Sequence, residues 1–393
     1  MALAFDGIRI VDFTQVLAGP FATQQLAQLG AEVIKIEQPD VGDITRGPPP
    51  GDRSPSFITC NLGKKSLTLD LKSADATEIV HKLVERADVV VENFKPGVMQ
   101  RLGFDYDSLK AIKEDLVYCS ISGYGQTGPK APLAAFDGAI QASSGMMAVS
   151  GHPETGPVRA GYFAVDMSTA LQAAFAIAAA LHRKQITGLG QRLDVAMMDT
   201  AMLMLAPQMS AYLMNGTVPD LLGNQSPTRQ PTANIFPTAN GRLQIIALRE
   251  TQVESLFAII GIPDRYQEFD NPKLRLKRSA ELHDLVSTVL LTQSTEHWLA
   301  ALLKANVPVS EVRGLADVAT DEQFAYRNAF VDIASPKDGE ETTRVVFAGH
   351  TATEDGPTLQ RTAPRLGEHN DVILAELGYS PESIESLRDQ GSI

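Results

Sequence analysis

Short apolar runs separated by helical patterns dominate the first part of the chain. The predicted strands cover 8–13, 32–37, 66–71, 88–93 and 116–122, and the predicted helices cover 21–29 and 73–86. Apolar runs that alternate with helices are typical of βαβ units, in which a parallel sheet is buried on both faces. Right-handed crossovers then predict a doubly wound, Rossmann-like α/β layer.

The pattern changes beyond residue 160, where one long Ala-rich helix is predicted within 161–184, beginning near Asp166. Residues 221–241 are dense in Pro, Asn, Gly and Thr, a composition typical of a loop, and a second, smaller unit begins after them. Further predicted elements are a strand within 188–197, a Met-rich helix over 201–214, a strand at 242–248, helices near 251–260, 279–291 and 295–305, a strand at 307–313 and a short helix after 364.

Length and charge narrow the class of protein. A chain of 393 residues exceeds a single typical core and predicts about two domains. The formal charge of −13, from 34 basic and 47 acidic residues, argues against nucleic acid and an anionic membrane as partners. It still allows an anionic small ligand, because a few local basic groups suffice to make a positive pocket.

Cysteine usage and the start of the chain suggest a reduced compartment. Two cysteines occur, without CxxC or metal-ligand spacing, so we predict no metal site. The first residues have no basic segment followed by an apolar core, and the apolar helices carry polar interruptions that leave them short of a membrane span. We therefore expect a cytoplasmic protein that does not associate with membranes.

Asp166 opens the long apolar helix, in GYFAVDMSTAL. A helix cap is the simplest interpretation, since a carboxylate accepts hydrogen bonds from free backbone N–H groups there. The alternative is a nucleophile, because an ionised but poorly hydrated carboxylate can attack an activated carbonyl without a base. Asp137, in AAFDGAIQ, is a second acid with apolar neighbours, and a cap and a site role remain equally open for it. No motif for a Ser or Cys nucleophile occurs.

Several basic residues lie near the predicted ends of βαβ elements, where open α/β sheets bind anionic ligands. Together they suit a phosphorylated ligand such as a nucleotide or coenzyme A: Arg46, Lys64, Lys65, Lys95 and Arg101. A dinucleotide is weakly indicated. The first strand is followed by LAGP rather than GxGxxG, although Glu37 stands at the end of the second strand, where a ribose-binding acid would lie.

A set of ordered motifs carries a resemblance to a known family. They include DFTQVLAGPFATQQLAQLGAEVIKIEQPDVGDITR, NLGKKSLTLDL, VVVENFKPGVMQRLGF, YCSISGYGQTGP and AFDGAIQASSGMM. With the Asp166 helix and GLGQRLDVAMMD, the chain resembles the class III (CaiB/BaiF) coenzyme A transferases over nearly its whole length.

The resemblance implies a large domain with a Rossmann-like parallel sheet, built from both ends of the chain, with a smaller inserted α+β domain. The expected division is a large CoA-binding domain over 1–200, a linker over 201–225, a small domain over 226–330 and a segment over 331–393 that returns to the large domain. It also implies an interlocked homodimer.

The resemblance further implies CoA transfer from an acyl-CoA thioester to a free carboxylic acid, with no metal. Asp166 matches the family's nucleophile, which forms a covalent aspartyl intermediate. Residues expected to line the coenzyme A or substrate site are Gln15, Val16, Leu17, Ala18, Arg46, Asn93, Phe94, Lys95, Met99, Arg101 and Asp137.

Two departures from family patterns bear on the substrate and the reaction. Leu17 stands where formyl-CoA–oxalate transferases carry Gln, so oxalate is not the predicted acid, although Gln15 supplies a polar group nearby. The main alternative is an α-methylacyl-CoA racemase, in which Asp166 takes part in proton transfer. Phe136 stands where racemases carry His, and Phe cannot relay a proton. Arg229 is a candidate for pairing with a substrate carboxylate, but an exposed loop charge is the favoured interpretation.

Overall fold

The computed structural model describes residues 2–47, 54–334 and 342–393. The strands are β1 Arg9–Asp12, β2 Glu32–Glu37, β3 Lys65–Thr68, β4 Val89–Glu92, β5 Val117–Ser122, β6 Gly151–His152, β7 Gly156–Pro157, β8 Gln191–Ala196, β9 Ala233–Pro237, β10 Arg242–Ile246, β11 Val309–Glu311, β12 Phe330–Ala334 and β13 Thr342–Val346. The helices are α1 Ala18–Gln28, α2 Pro55–Asn61, α3 Ala76–Glu85, α4 Val98–Leu102, α5 Tyr106–Lys110, α6 Asp137–Ser143, α7 Ala164–Thr187, α8 Met197–Met204, α9 Ala206–Asn215, α10 Glu250–Ile259, α11 Pro272–Lys277, α12 Ser279–Leu290, α13 Thr295–Lys304, α14 Leu315–Val318, α15 Glu322–Tyr326, α16 Asn370–Glu376 and α17 Pro381–Asp389. Short 3₁₀ turns cover Ile44–Arg46, Met147–Val149 and Pro263–Phe269.

The chain divides into two compact units. The first consists of Met1–Met146, Ala160–Gly216 and Gln323–Ile393, and the second of Met147–Arg159 and Thr217–Glu322. The segment 201–225, expected as a linker, holds half of α8 and all of α9, which belong to the first unit.

A parallel sheet of six strands forms the centre of the first unit, in the order β3-β2-β1-β4-β5-β8. The predicted α/β class with a parallel sheet is confirmed, and smaller antiparallel sheets accompany it. The strand order reverses between β1 and β4, so the turns that follow these two strands flank a crevice at the carboxyl edge. In open α/β sheets this topological switch point is the preferred ligand site.

Helices bury both faces of the sheet. One face packs against α1 and α7 through a core that includes Ile10, Val89, Cys119 and Ile177. The other packs against α3 and the C-terminal helices α16 and α17 through a core that includes Val11, Tyr118, Leu83 and Leu374. Both α1 and α7 begin at the carboxyl edge of the sheet, because each runs antiparallel to the strand that it precedes or follows.

The helix α7 is longer than the sequence pattern suggested. It has 24 residues and is apolar enough that by length and composition it could cross a membrane, contrary to the expectation that the apolar helices are too short. Half of its apolar window is buried, and residues such as Ala173 and Ile177 pack in the core beneath α1. Core helices commonly pass the same test, so its length is weak evidence for a membrane span.

The C-terminal segment is bonded to the edge strand β3. The N–H of Thr68 donates to Asn370 Oδ1 at 2.9 Å, and the N–H of His369 donates to the carbonyl of Ser66 at 3.0 Å. Just beyond the strand, the N–H of Asp70 donates to the carbonyl of Ser392 at 2.8 Å. These bonds occupy an edge that would otherwise be open to pairing with another chain.

Element boundaries differ from the predictions where turn chemistry decides them. The helix α1 begins at Ala18 instead of residue 21, because Pro20 is tolerated in the first turn of a helix. The strand β9 lies within 221–241. This range was predicted as a loop, because Pro and Asn surround the core residue Phe236 in the sequence. The short helix α6 was not predicted.

The second unit contains the antiparallel sheet β11-β10-β9 with helices packed on it. Its core includes Phe236, Leu243, Phe257 and Trp298, and the indole N–H of Trp298 donates to the carbonyl of Leu290 at 2.8 Å.

Candidate active site

Asp166 lies in the first turn of α7, but its side chain does not cap the helix. The N–H of Ala164 donates to the carbonyl of Tyr162 at 2.9 Å, and the N–H of Met167 donates to the carbonyl of Phe163 at 3.0 Å. The N–H groups of Val165 and Asp166, which lie between these two, donate to Asp137. The first turn is therefore satisfied without the Asp166 carboxylate.

Asp137, the first residue of α6, supplies the missing cap. Its Oδ2 accepts hydrogen bonds from the N–H of Val165 at 2.8 Å and from the N–H of Asp166 at 3.0 Å. Its Oδ1 accepts from Gln141 Nε2 at 2.6 Å, and Gln141 Oε1 in turn accepts from the N–H of Ala160 at 2.9 Å. Of the two roles left open for Asp137, the structure shows the cap, and it acts on the helix that carries Asp166.

The environment of Asp166 favours proton uptake. Burial raises the pKa of this half-buried carboxylate to about 6, and the negative charge of Asp137 adds to the shift. The sequence left two opposed effects open, and desolvation prevails because Asp137 takes the helix N–H groups that would have lowered the pKa. Asp166 is still mostly ionised at neutral pH, and it is more basic than an ordinary aspartate.

The turn after β1 is fixed to the turn after β4 at the switch point. The N–H of Gln15 donates to Asn93 Oδ1 at 2.8 Å, and Asn93 Nδ2 donates to the carbonyl of Gln15 at 2.7 Å. Asn93 thus uses both ends of its amide on the backbone of Gln15. This gives Asn93 a positioning role, in addition to any ligand contact expected from the sequence.

The next residue of that turn has a strained backbone. Val16 has a φ of +71°, a left-handed conformation that a β-branched residue rarely adopts. Its N–H donates to Asp43 Oδ1 at 3.2 Å. Leu17 and Ala18 follow directly and are buried where α1 begins.

Three buried ion pairs lie behind this turn. Lys64 Nζ is 2.8 Å from Asp12 Oδ2, Lys35 Nζ is 2.9 Å from Asp43 Oδ2, and Arg46 Nη2 is 2.7 Å from Glu37 Oε2. Burial opposes charge on every carboxylate of this cluster, but their cationic partners hold the pKa values of all three below the usual value. Burial lowers the pKa of Lys64 to about 8.

Arg46 is placed inside the protein. Its Nε donates to Glu37 Oε1 at 2.8 Å, its Nη1 donates to the carbonyl of Pro364 at 3.1 Å, and its guanidinium carbon lies 3.8 Å from the ring centre of Phe57. With 3% of its surface exposed, Arg46 supports the fold, and Glu37 is held in the same pair. The Glu37 carboxylate, the acid expected at a ribose, is thus engaged by Arg46, although Glu37 also lines a cavity described below.

Two other basic residues are also used internally. Lys64 is fully buried, and Lys65 pairs with Glu32 at the amino edge of the sheet, 2.5 Å away. Lys64 reaches the carboxyl end of β1, but its ammonium is bonded to Asp12 and to the carbonyl of Pro20, whereas Lys65 lies away from the ligand edge. Both were chosen from strand ends, and the sequence did not show which end of the strand each one occupies.

A cavity of about 260 Å³ lies at the carboxyl ends of β1 to β4. It brings together three residues expected from the sequence: Gln15, Phe94 and Arg101. Glu37, the acid singled out at the end of β2, also lines its wall, together with polar residues that sequence analysis did not single out, among them Gln38 and Lys72. Lys72 follows β3, and its place after a strand was the signal that could have identified it.

A second cavity, of about 220 Å³, contains two further expected residues, Lys95 and Met99. Its wall also includes Glu92, which is buried and accepts a hydrogen bond from the N–H of Phe94 at 2.9 Å. Burial raises the pKa of Glu92 to about 7. The expected residues after β4 are therefore divided between two neighbouring cavities.

Arg229 lies in the second unit, where it is exposed and its Nη2 is 2.5 Å from Asp220 Oδ2. This surface pair is in line with the favoured interpretation of Arg229 as an exposed loop charge.

Cys60 is a buried thiol whose surroundings disfavour the thiolate. Burial raises the pKa of Cys60 to about 11, and the charges that act on it include those of Lys64, Asp43 and Asp166. A thiol with such a pKa is not a nucleophile at neutral pH. The carboxylate of Asp166 is the better candidate for covalent chemistry.

Comparison with known proteins places this geometry in a family. The family described as CoA-transferase family III matches residues 5–370. The chain is 36% identical over 389 residues to the succinate–glutarate CoA-transferase of Agrobacterium fabrum, with 95% of each chain covered. It is 35% identical over 387 residues to the acetyl-CoA:oxalate CoA-transferase of Acetobacter aceti, with 96% of this chain and 97% of the relative covered.

Solved structures agree with the sequence matches. The crystal structure of a CaiB/BaiF family protein from Brucella suis is 35% identical and superimposes with a TM-score of 0.88, covering 96% of this chain and 100% of the other. The chain belongs to CoA-transferase family III, and it is an enzyme of CoA transfer.

Proposed function

We propose that the protein transfers coenzyme A from an acyl-CoA thioester to a free carboxylic acid through a covalent intermediate on Asp166. The observation that carries this proposal is the cap supplied by Asp137, which leaves the half-buried Asp166 carboxylate without a structural task in its own helix. A poorly hydrated carboxylate of raised basicity is suited to attack a thioester carbonyl.

The reaction balances without a metal or an external base. The Asp166 carboxylate attacks the thioester carbonyl, the CoA thiolate leaves, and a mixed anhydride remains. The thiolate attacks the aspartyl carbonyl of this anhydride, releasing the donor acid and leaving an aspartyl–CoA thioester. The acceptor carboxylate displaces the thiolate again, and the thiolate then attacks the acceptor carbonyl, which restores the Asp166 carboxylate.

The cavity at the carboxyl ends of β1 to β4 suits the nucleotide part of coenzyme A. The ring of Phe94 offers an aromatic surface to a base, and Arg101 and Lys72 offer positive charge to phosphates. Lys95 and Met99 would extend the contact along the neighbouring cavity.

Backbone donors lie near the start of α1. Among the residues that the structure describes, the N–H groups of Leu17, Ala18 and Gly19 have no acceptor within the protein. Unpaired N–H groups at a helix N-terminus suit the oxyanion that develops when a thioester carbonyl is attacked. We assign them this role in the proposed reaction.

The names of the relatives suggest which acids to test first. They act on succinate and glutarate, and on oxalate. Leu17 removes the side-chain polar group that oxalate-specific members carry, so we propose C4 and C5 dicarboxylic acids as the first donor and acceptor candidates.

We also propose a homodimer, interlocked as in the family. Its support in this chain is an exposed apolar surface along α7, α8 and α9, which consists of Leu171, Phe175, Ile186, Leu203, Met204, Leu213 and Met214. A surface of this kind on helices of the first unit suits a second copy of the chain. Light scattering is expected to give twice the mass of one chain, and a monomeric mass would refute the dimer.

Mass spectrometry after mixing with a panel of acyl-CoA donors tests the chemistry. An adduct of CoA mass within 161–184, present in the wild type and absent in Asp166→Ala, is expected. Asp199→Asn is the matched control, because Asp199 is an exposed acid in the first turn of α8. Deuterium exchange next to the thioester without any adduct would refute the proposal and favour a racemase instead.

A further inference from the structure

Side chains hold five of the six polar backbone groups of one turn. In Thr14–Val16, here called the switch turn, the N–H of Thr14 donates to Asp12 Oδ1 at 2.9 Å, and its carbonyl accepts from Lys35 Nζ at 2.6 Å. The N–H and the carbonyl of Gln15 both bond to the side-chain amide of Asn93, and the N–H of Val16 donates to Asp43. Five successive backbone groups are thus fixed from outside the turn.

Two of these side chains form one unit. Lys35 Nζ lies 2.9 Å from Asp43 Oδ2, and both residues are at most 1% exposed. Asp43 Oδ1 also accepts from the N–H of Thr45 at 2.9 Å and from its hydroxyl at 2.8 Å. The carboxylate is therefore oriented by three groups besides Val16, and the ammonium by a carboxylate and a carbonyl.

The conformation that this pair maintains is costly. A left-handed backbone costs an ordinary residue roughly 1–2 kcal/mol. Val16 adopts it, and the chain turns there into α1, so that the next N–H groups are the unpaired ones of Leu17, Ala18 and Gly19. Strain at such a position persists only where the surroundings fix the backbone.

We propose that Lys35 and Asp43 are positioning residues for CoA transfer, which hold the switch turn so that the first N–H groups of α1 face the reacting carbonyl. The role rests on the proposed function, because those N–H groups act only if a thioester is attacked nearby. Neither side chain touches the substrate. The buried pair acts through the carbonyl of Thr14 and the N–H of Val16.

The double variant Lys35→Met with Asp43→Leu tests this role, because neither new side chain can hold the backbone of the switch turn. It removes both buried charges together, which is often neutral for stability, whereas removal of one partner leaves an unpaired charge. The matched control is Lys184→Met with Asp88→Leu. That pair is 2.8 Å apart and also holds a backbone group, since the N–H of Arg9 donates to Asp88 Oδ2 at 3.1 Å, but it lies at the amino edge of the sheet.

The measurement is the single-turnover rate of adduct formation on Asp166 at saturating acyl-CoA, with KM for acyl-CoA and the melting temperature measured in parallel. We expect the test variant to lose roughly 10- to 100-fold in rate, the size expected for misplaced groups, while KM changes far less. The control variant keeps the wild-type rate.

A folded test variant with the wild-type rate would overturn the positioning role, and so would equal losses in test and control variants. A wild type that forms no adduct with any donor, while Asp166→Ala behaves identically, would refute CoA transfer itself and the positioning role with it. The two failures are therefore distinguishable. If the double variant is unfolded, Thr45→Val is measured under the same criteria, because it keeps both charges and removes the hydroxyl that donates to Asp43 Oδ1 at 2.8 Å.

Discussion

Asp137 caps the helix that carries Asp166, with one carboxylate oxygen 3.0 Å from the backbone nitrogen of Asp166 and 2.8 Å from that of Val165. One acid thus performs the structural task that the position of the other seemed to require. The arrangement has two effects on Asp166: it withholds the N–H groups that would stabilise the carboxylate, and it places a like charge nearby. Both effects make Asp166 more basic.

The pH dependence of adduct formation follows from this pair. Only the ionised Asp166 attacks, so the rate is expected to fall as the pH drops through about 6. In Asp137→Asn the like charge is gone, and the acidic limb is expected to move to lower pH. Single-turnover rates measured across that range check this, and an unshifted limb would contradict the charge coupling.

Protonation of Asp166 is expected to affect stability and activity in opposite directions. It raises the free energy of unfolding, and it stops the attack on the thioester. The folded pKa of Asp166 lies above the unfolded value, so the folded state binds the proton more tightly, and stability falls as pH rises from about 4 to about 6. Asp166→Asn removes this penalty and is expected to raise the free energy of unfolding by about 1–2 kcal/mol at pH 7. Urea unfolding at pH 7 and pH 4 checks it. A gain that persists undiminished at pH 4 would contradict the explanation.

Arg101 lines the proposed nucleotide cavity, and its removal is expected to weaken binding. Arg101→Gln is expected to raise KM for acyl-CoA roughly 10-fold with little change in kcat, since it contacts a part of the substrate far from the reaction. Steady-state kinetics measures this. Arg327→Gln is the control, because Arg327 is an exposed cation of the same unit. Equal effects in both variants would indicate general electrostatics.

Arg46 is expected to affect stability rather than binding. Arg46→Lys keeps a charge but loses the two-point pairing with Glu37, so the free energy of unfolding is expected to fall by about 2–4 kcal/mol. KM for acyl-CoA is expected to stay close to wild type. Urea unfolding and steady-state kinetics distinguish the two roles, and a stable variant with a raised KM would make Arg46 a ligand residue after all.

Val16→Gly tests the strain in the switch turn. Glycine adopts the positive φ of this position without a steric cost, which favours the folded state. The greater flexibility of glycine in the unfolded chain lowers the free energy of unfolding by about 0.5–1 kcal/mol. The variant is expected to be at least as stable as wild type and to form the adduct at a similar rate. Urea unfolding measures the first and mass spectrometry the second. A clear loss of stability would show that the valine side chain, and not its backbone, matters there.

The sequence was sufficient for the sheet because each of its strands up to β5 is a short apolar run, and a parallel strand buried on both faces has that pattern. It was also sufficient to single out Asp166, whose apolar neighbours set it apart from the other acids. The partner that caps the helix could not be found in this way. Asp137 and Val165 are distant in sequence, and only the packing of α6 against α7 brings them together.

The basic residues show a different limit. Arg46 and Arg101 look alike in sequence, each close to the end of a strand and its following turn. One is neutralised by Glu37 in the interior, and the other lines a cavity. Whether a cation meets a carboxylate or a ligand depends on which side chains of neighbouring strands share a face, and this register is a property of the assembled sheet.

The bonds between the C-terminal segment and β3 have a consequence for synthesis on the ribosome. The outer edge of β3 is completed by Asn370 and Ser392, some three hundred residues later in the chain. During translation the first strands leave the ribosome long before the C-terminal residues that bond to β3. The outer edge of β3 is therefore unpaired while the second unit is synthesised. Domains usually fold as units and N-terminal first, but this edge stays unpaired until Asn370 and Ser392 have been made, and an unpaired strand edge is prone to aggregation.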